Sequence, residues 1–285
     1  MDFWHSSIFL RPDEAVELAV LAESLGFVGT MVADHIAYPV QTDFDEHPQG
    51  RFEPVRPYPD PIALLAAMAT ATETLRLVTY SLILPMRDPF TVAKAFATLS
   101  LLSDNRVGLG VAAGWMAEEF EVLGKSFHDR GARLDDGLAV IRTLWEPGAT
   151  SFQGKYYSFP PMVFEPRPEA RPPIYIGGHS DAALRRAAAA DGWLGLQFAR
   201  EELEEIVHKL DTERRVLGRA DEPFEKIVLH DEPNEPVSLG LIHWLEDIGV
   251  DGLLLVPMPM TVGEESTLAD KRAALEAFAE EFIRR

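Results

Sequence analysis

An apolar run ending at Val32 and Ala33 passes directly into Asp34 and His35, a carboxylate beside an imidazole. An imidazole exchanges a proton near neutral pH, and an adjacent carboxylate can fix its tautomer or stabilise its charged form. Alternation in a strand aims neighbouring side chains to opposite sides unless the chain is already turning, and Asp34 could equally cap the following loop.

Three later strand ends also carry unusual residues. Tyr80 and Ser81 lead through Leu84, Pro85 and Met86 to Arg87, Asp88 and Pro89; core strand followed by a capped helix explains most of this, with Arg87 either in a local ion pair or holding a ligand. Gly108, Gly110, Ala112, Ala113 and Gly114 bring almost no side-chain bulk before Trp115. Flat backbone beside an aromatic suits a planar ring, although glycine also relieves crowding where barrel strands approach helices. Ile176, Gly177, Gly178, His179, Ser180 and Asp181 run from a strand through glycines into a helix start. Backbone N–H groups there converge with the positive end of the helix dipole, a setting for phosphate, with an empty tight turn as the alternative. His35, His47 and the nearby acids match no metal-ligand spacing, and no serine sits in a G-x-S-x-G setting, so metal and serine hydrolysis are not expected.

The elements that must position these residues alternate along nearly the whole chain. Strands are expected over 3–10, 27–33, 76–84, 106–112, 173–176, 193–198, 225–229 and 252–256. The helices between them cover 11–26, 60–72, 88–99, 181–190, 201–217, 239–248 and 268–283, with 117–123 and 130–145 in a looser stretch. A hairpin over 151–159 turning at Gly154 completes that stretch, read as an insertion on the scaffold. Eight βα units at this length favour a closed TIM (β/α)8 barrel, one domain over 1–285 with insertions after strands 2 and 4, and no glycine fingerprint follows the first strand to support an open dinucleotide-binding sheet. The loop 36–58 holds Tyr38, His47, Arg51, Phe52, Arg56 and Tyr58 among prolines; it reads as a substrate lid or as a disordered crossing.

Composition sets outer bounds. A chain of 285 residues, 47% of them hydrophobic, is long enough for one large core or two ordinary domains, and length alone does not choose between them. It has no cysteine, which removes disulfides and thiolate chemistry and suits a reducing cytoplasm. The N-terminus lacks a signal pattern and no window is apolar enough for a membrane helix, so a soluble, cytoplasmic protein is expected. Forty-six acidic against 26 basic residues give a net charge of −20, which disfavours nucleic acid and anionic membranes as partners.

Taken together, a strand-end histidine, a shelf for a planar ring, an anion cradle and a barrel resemble the luciferase-like monooxygenases of the bacterial luciferase superfamily. The marks are Ala22 through Phe27, Asp34 with His35, Ala93, Lys94, Ala97, Thr98, Leu99, Leu102, Ser103 and Arg106, then Gly114, Trp115, Glu118, Glu119 and Phe120, and finally Ile176, Gly177 and Gly178 with Asp191, Gly192 and Trp193. Asp34 and His35 with the stretch from Leu84 to Pro89 resemble the coenzyme F420-dependent oxidoreductase branch more than the flavin-using luciferases. The resemblance implies a deazaflavin cofactor, with FMN as the alternative. It implies a non-proline cis peptide at Tyr80–Ser81 against the ring, Ala113, Gly114 and Trp115 beside it, and the phosphate on Gly177, Gly178, His179 and Ser180. His35 would donate or accept the proton, with Asp34 as its partner or a ring contact, and Tyr80 and Trp115 would wall the pocket. Where the sugar-phosphate dehydrogenases of that branch place catalytic carboxylates, Ile8 and Trp115 stand here. The expected activity is hydride transfer to or from a small organic substrate by a homodimer. An FMN-dependent monooxygenase and a non-catalytic cofactor carrier remain open.

Overall fold

The capped, alternating segments fold into helices and strands close to where the sequence marks them. The computed structural model describes residues 1–37, 57–230, 236–256 and 266–284. In chain order these form β1 (Asp2–Ser6), α1 (Pro12–Leu25), β2 (Gly29–Val32), α2 (Pro61–Ala71), β3 (Arg76–Thr79), β4 (Leu82–Ile83), α3 (Pro89–Leu102), β5 (Val107–Ala112), α4 (Ala117–Val122), α5 (Arg130–Trp145), β6 (Ala149–Gln153), β7 (Ser158–Val163), β8 (Ile174–Gly177), α6 (Asp181–Ala188), β9 (Gly192–Gly195), α7 (Arg200–Val216), β10 (Glu225–His230), α8 (Leu239–Asp247), β11 (Gly252–Leu255) and α9 (Leu268–Phe278). Proline opens α1, α2 and α3, and the carboxylates of Asp60 and Asp88 accept first-turn N–H groups of the last two.

β1 pairs in parallel with both β2 and β11, and β3 with both β2 and β5. With β5–β8, β8–β9, β9–β10 and β10–β11 also parallel, the ring closes as a TIM barrel. The third strand, expected to be continuous over 76–84, is split into β3 and β4, and the cis peptide Tyr80–Ser81 lies between the halves. The expected insertion over 116–173 also divides. Helix α5 packs on α3 as a member of the outer ring, whereas α4 and the antiparallel hairpin β6–β7 are the added pieces. Of the loop 36–58, Tyr38, His47, Arg51, Phe52 and Arg56 lie outside the described residues.

Strand alternation sends one large side chain inward from each of seven strands: Trp4, Met31, Val78, Tyr175, Leu194, Ile227 and Leu254 form the inner cluster. β5 instead turns Gly108 and Gly110 inward. A Cβ on Gly110 would stand 1.9 Å from the Thr79 carbonyl oxygen and 2.7 Å from Leu194. These two glycines therefore serve the barrel's own packing. At the strand starts, Arg76 makes two 2.7 Å hydrogen bonds to Glu225 and lies over the Trp4 ring, and the Tyr175 hydroxyl donates to the same carboxylate. Burial would raise the Glu225 carboxyl, but Arg76 outweighs it and holds the group below its ordinary value. Aliphatic residues on the outward faces meet the helices in the main core.

His5, the outward neighbour of Trp4, is fully buried; its Nδ1 lies 3.0 Å from Thr30 Oγ1, and its Nε2 has no hydrogen-bond partner among the described residues. Burial lowers its pKa to about 4. Above the ordinary imidazole value both folded and unfolded states are neutral. As the pH falls through that value the unfolded chain takes up a proton that the folded chain refuses until pH 4, so stability is lost across this window. The expected loss is about 3 kcal/mol. Urea denaturation at pH 7 and pH 4 checks it: His5→Asn should lose less stability than the wild type by that amount, and equal losses would refute the assignment. Among the described residues no helix is long and apolar enough to cross a membrane.

Candidate active site

Past the end of β2 the chain turns across the barrel mouth, and His35 meets a carboxylate 84 residues away. His35 Nδ1 lies 3.0 Å from Glu119 Oε2. The other oxygen, Oε1, accepts the backbone N–H groups of Ile36 and Ala37 at 2.9 and 3.2 Å. Glu119 rides on α4, which is aimed by the turn before it. Gly114 there has φ +90°, and a Cβ on it would stand 2.7 Å from Ile83 and 2.8 Å from Phe120. Arg130 Nε donates to the Gly114 carbonyl at 3.0 Å, and Phe120 packs with Ile83 and Met86 beneath the helix.

Asp34 was expected as the partner of His35 or as a ring contact, and the structure corrects the first of these. Its Oδ1 accepts Arg87 Nη2 at 2.7 Å, and its Oδ2 accepts the Ile83 N–H at 3.0 Å and Arg87 Nε at 3.3 Å. Neighbours at a strand end diverge, so Asp34 turns under β4 while His35 turns toward α4. Arg87 extends the clamp to Asp60 at 3.3 Å, and so joins the exit of β2 to the start of α2. Burial would lower the Arg87 guanidinium, but the bond and charge of Asp34, reinforced by Asp60, raise it overall. Arg87 is in an ion pair, but not the local one expected beside Asp88: its partners are Asp34 and Asp60, and Asp88 is occupied capping α3 through the Thr91 N–H.

The His35 ring is bracketed edge-on by Tyr58, at 4.8 Å between centroids, and by Trp115, at 5.9 Å. Phe9 continues this wall 5.2 Å from Tyr58. The floor beside it is built of small residues: a Cβ on Gly177 would stand 2.5 Å from Ser81 Oγ and 3.6 Å from Ala112 Cβ. Tyr80 faces the barrel interior, donating its hydroxyl to the Gly195 carbonyl at 2.6 Å, and burial pushes its phenol far up. Ala113 and Gly114 extend the floor toward Trp115, all partly exposed.

Beyond Gly177 the chain turns through Gly178, at φ +108°, into α6. Ser180 caps that helix by accepting the Ala183 N–H at 3.3 Å, and its first-turn N–H groups lack intrahelical acceptors. The Trp193 indole N–H donates to the Gly178 carbonyl at 2.8 Å, fixing the turn from below. Phe198 stacks on Trp193 and meets the exposed His179 edge-on at 5.4 Å.

Residues 5–230 match the family description of the luciferase-like monooxygenases. The chain belongs to the luciferase-like monooxygenase family. This luciferase-like protein is 35% identical over 274 residues to an uncharacterized protein of Mycobacterium tuberculosis, with 94% of each chain covered. It is 33% identical over 188 residues to an F420-dependent glucose-6-phosphate dehydrogenase of Amycolatopsis mediterranei, covering 64% of this chain and 53% of that relative. Among solved structures it is similar to an F420-dependent secondary alcohol dehydrogenase in complex with an F420-acetone adduct, with TM-score 0.78, 20% identity and 98% and 97% of the two chains covered.

Two contributors to the luciferase-like site had no functional assignment from sequence. Glu119 was visible only as a mark of resemblance, because nothing in a linear reading pairs it with His35. Trp193 was likewise a mark, and its bond to the Gly178 carbonyl depends on β8 and β9 lying side by side.

Proposed function

We propose that this chain is a coenzyme F420-dependent oxidoreductase acting on a small organic substrate at its barrel mouth. The observation that carries this reading is the contact at Gly177. The glycine turn packs directly against Ser81 and Ala112, so the small-residue strand ends and the start of α6 are brought side by side. The donor set fits an anionic tail attached to a flat ring. Gly177, Gly178, His179 and Ser180 would hold the phosphate, and Ser81, Ala113, Gly114 and Trp115 the ring. When bound, the deazaflavin supplies hydride chemistry; the protein orients, shields and handles one proton. Of the relatives above, the 33% identical dehydrogenase of Amycolatopsis mediterranei is named for the same cofactor.

His35 handles the proton. Its Nδ1 is engaged by Glu119. Tyr58 and Trp115 keep water from the ring edges, and Asp34 acts through structure, locking the β2 exit to Arg87. Trp115 stands where the resembled sugar-phosphate dehydrogenases carry a carboxylate, so sugar-phosphate oxidation is not part of the proposal.

Fluorescence titration with coenzyme F420 and, separately, with FMN tests it. Saturable binding of the deazaflavin is expected. Binding of FMN alone would replace the reading with a flavin-dependent monooxygenase, and binding of neither would remove both.

A further inference from the structure

We infer that Glu119 is the positioning residue that sets the tautomer of His35, and thereby decides which ring nitrogen can exchange a proton at the mouth. The catalytic meaning rests on the proposed role of His35; the tautomer itself does not.

Oε1 of Glu119 already accepts two backbone N–H groups, from Ile36 and Ala37, which fixes the rotation of the carboxylate. Oε2 is left facing His35 Nδ1 at 3.0 Å. An ionised carboxylate has only acceptors, so this contact requires hydrogen on Nδ1. A neutral ring then carries its lone pair on Nε2. The side chains of His35 and Glu119 are 10% and 3% exposed, so water competes poorly for either group. Tyr58 and Trp115 pack against the ring edge-on and oppose a flip.

An isosteric change at Glu119 reverses these donor and acceptor roles. In Glu119→Gln the Ile36 and Ala37 N–H groups still demand an acceptor, so the amide oxygen stays on their side. The NH2 group then faces Nδ1, which must accept, and the ring hydrogen moves to Nε2. Shape is preserved while the basic nitrogen is exchanged for the wrong one.

The test is a two-bond proton–nitrogen correlation spectrum of the full-length protein with nitrogen-labelled histidine. It is recorded at an alkaline pH above which the His35 signal no longer changes, with that signal assigned by its loss in His35→Asn. The wild type should show hydrogen on Nδ1, and Glu119→Gln should show it on Nε2 with an unchanged melting temperature. A wild-type ring with hydrogen on Nε2 overturns the inference, as does an unchanged tautomer in the folded variant. Should Glu119→Gln not fold, the wild-type tautomer alone decides. Failure to bind coenzyme F420 would end the functional proposal and leave this assignment standing, so the two can fail separately.

Discussion

Replacing His35 with asparagine should slow turnover by about 10²- to 10⁴-fold, the range supplied by one positioned acid–base group. Asparagine fits the test because its amide can still donate toward Glu119 Oε2, where His35 Nδ1 now lies at 3.0 Å, so the loop from Asp34 to Ala37 should keep its anchor. Affinity for coenzyme F420 and thermal stability should therefore change little. The assay is oxidation of the reduced cofactor against a panel of small ketones and enals, with cofactor affinity measured in parallel. If the wild type turns over any of them and His35→Asn does so equally fast, the proton role is wrong. If the cofactor binds and no turnover is found in either protein, a non-catalytic carrier becomes the better description.

A second substitution should act on folding instead of chemistry. Arg87→Met should cost about 3–5 kcal/mol, because it strands a carboxylate that has been taken out of water. The Asp34 side chain is 1% exposed and that of Arg87 18%, so the pair sits in a dry environment where neither charge is well solvated alone. The Ile83 N–H would remain as a donor to Asp34, but one backbone amide does not balance a full charge. Adding Asp34→Asn should restore much of the loss, since the double variant buries no unpaired charge. Urea denaturation of both variants measures this. A single variant within about 0.5 kcal/mol of wild type, the range of ordinary surface changes, would mean the clamp is solvated and unimportant.

The contrast between these two experiments reflects how much the sequence discloses. Periodicity made the barrel legible, because apolar runs such as that ending at Val32 and capped starts such as Asp60–Pro61 are local signals. The strand ends were legible for the same reason. Partnerships across the barrel were not. Asp34 and His35 are adjacent in sequence and diverge in space, each finding its partner on another element 53 and 84 residues away. Arg87 looked local beside Asp88 for want of any sign of the fold that brings Asp34 over it. Gly108 and Gly110 looked like part of a resting place for a ligand, yet the space they leave is taken by Tyr175, Thr79 and Leu194. The shelf begins only two residues later, at Ala112.

The latch of Arg76, Glu225, Tyr175 and Trp4 stops the barrel at its base, and the inner cluster fills the interior above it. Whatever molecules this protein holds must arrive and depart over the same rim. A first occupant lying flat across that rim leaves the second only the gap between it and the surrounding loops. Selectivity is then a property of the collar around the opening, and attempts to redirect the protein toward new compounds should be aimed there and not at the shaft below.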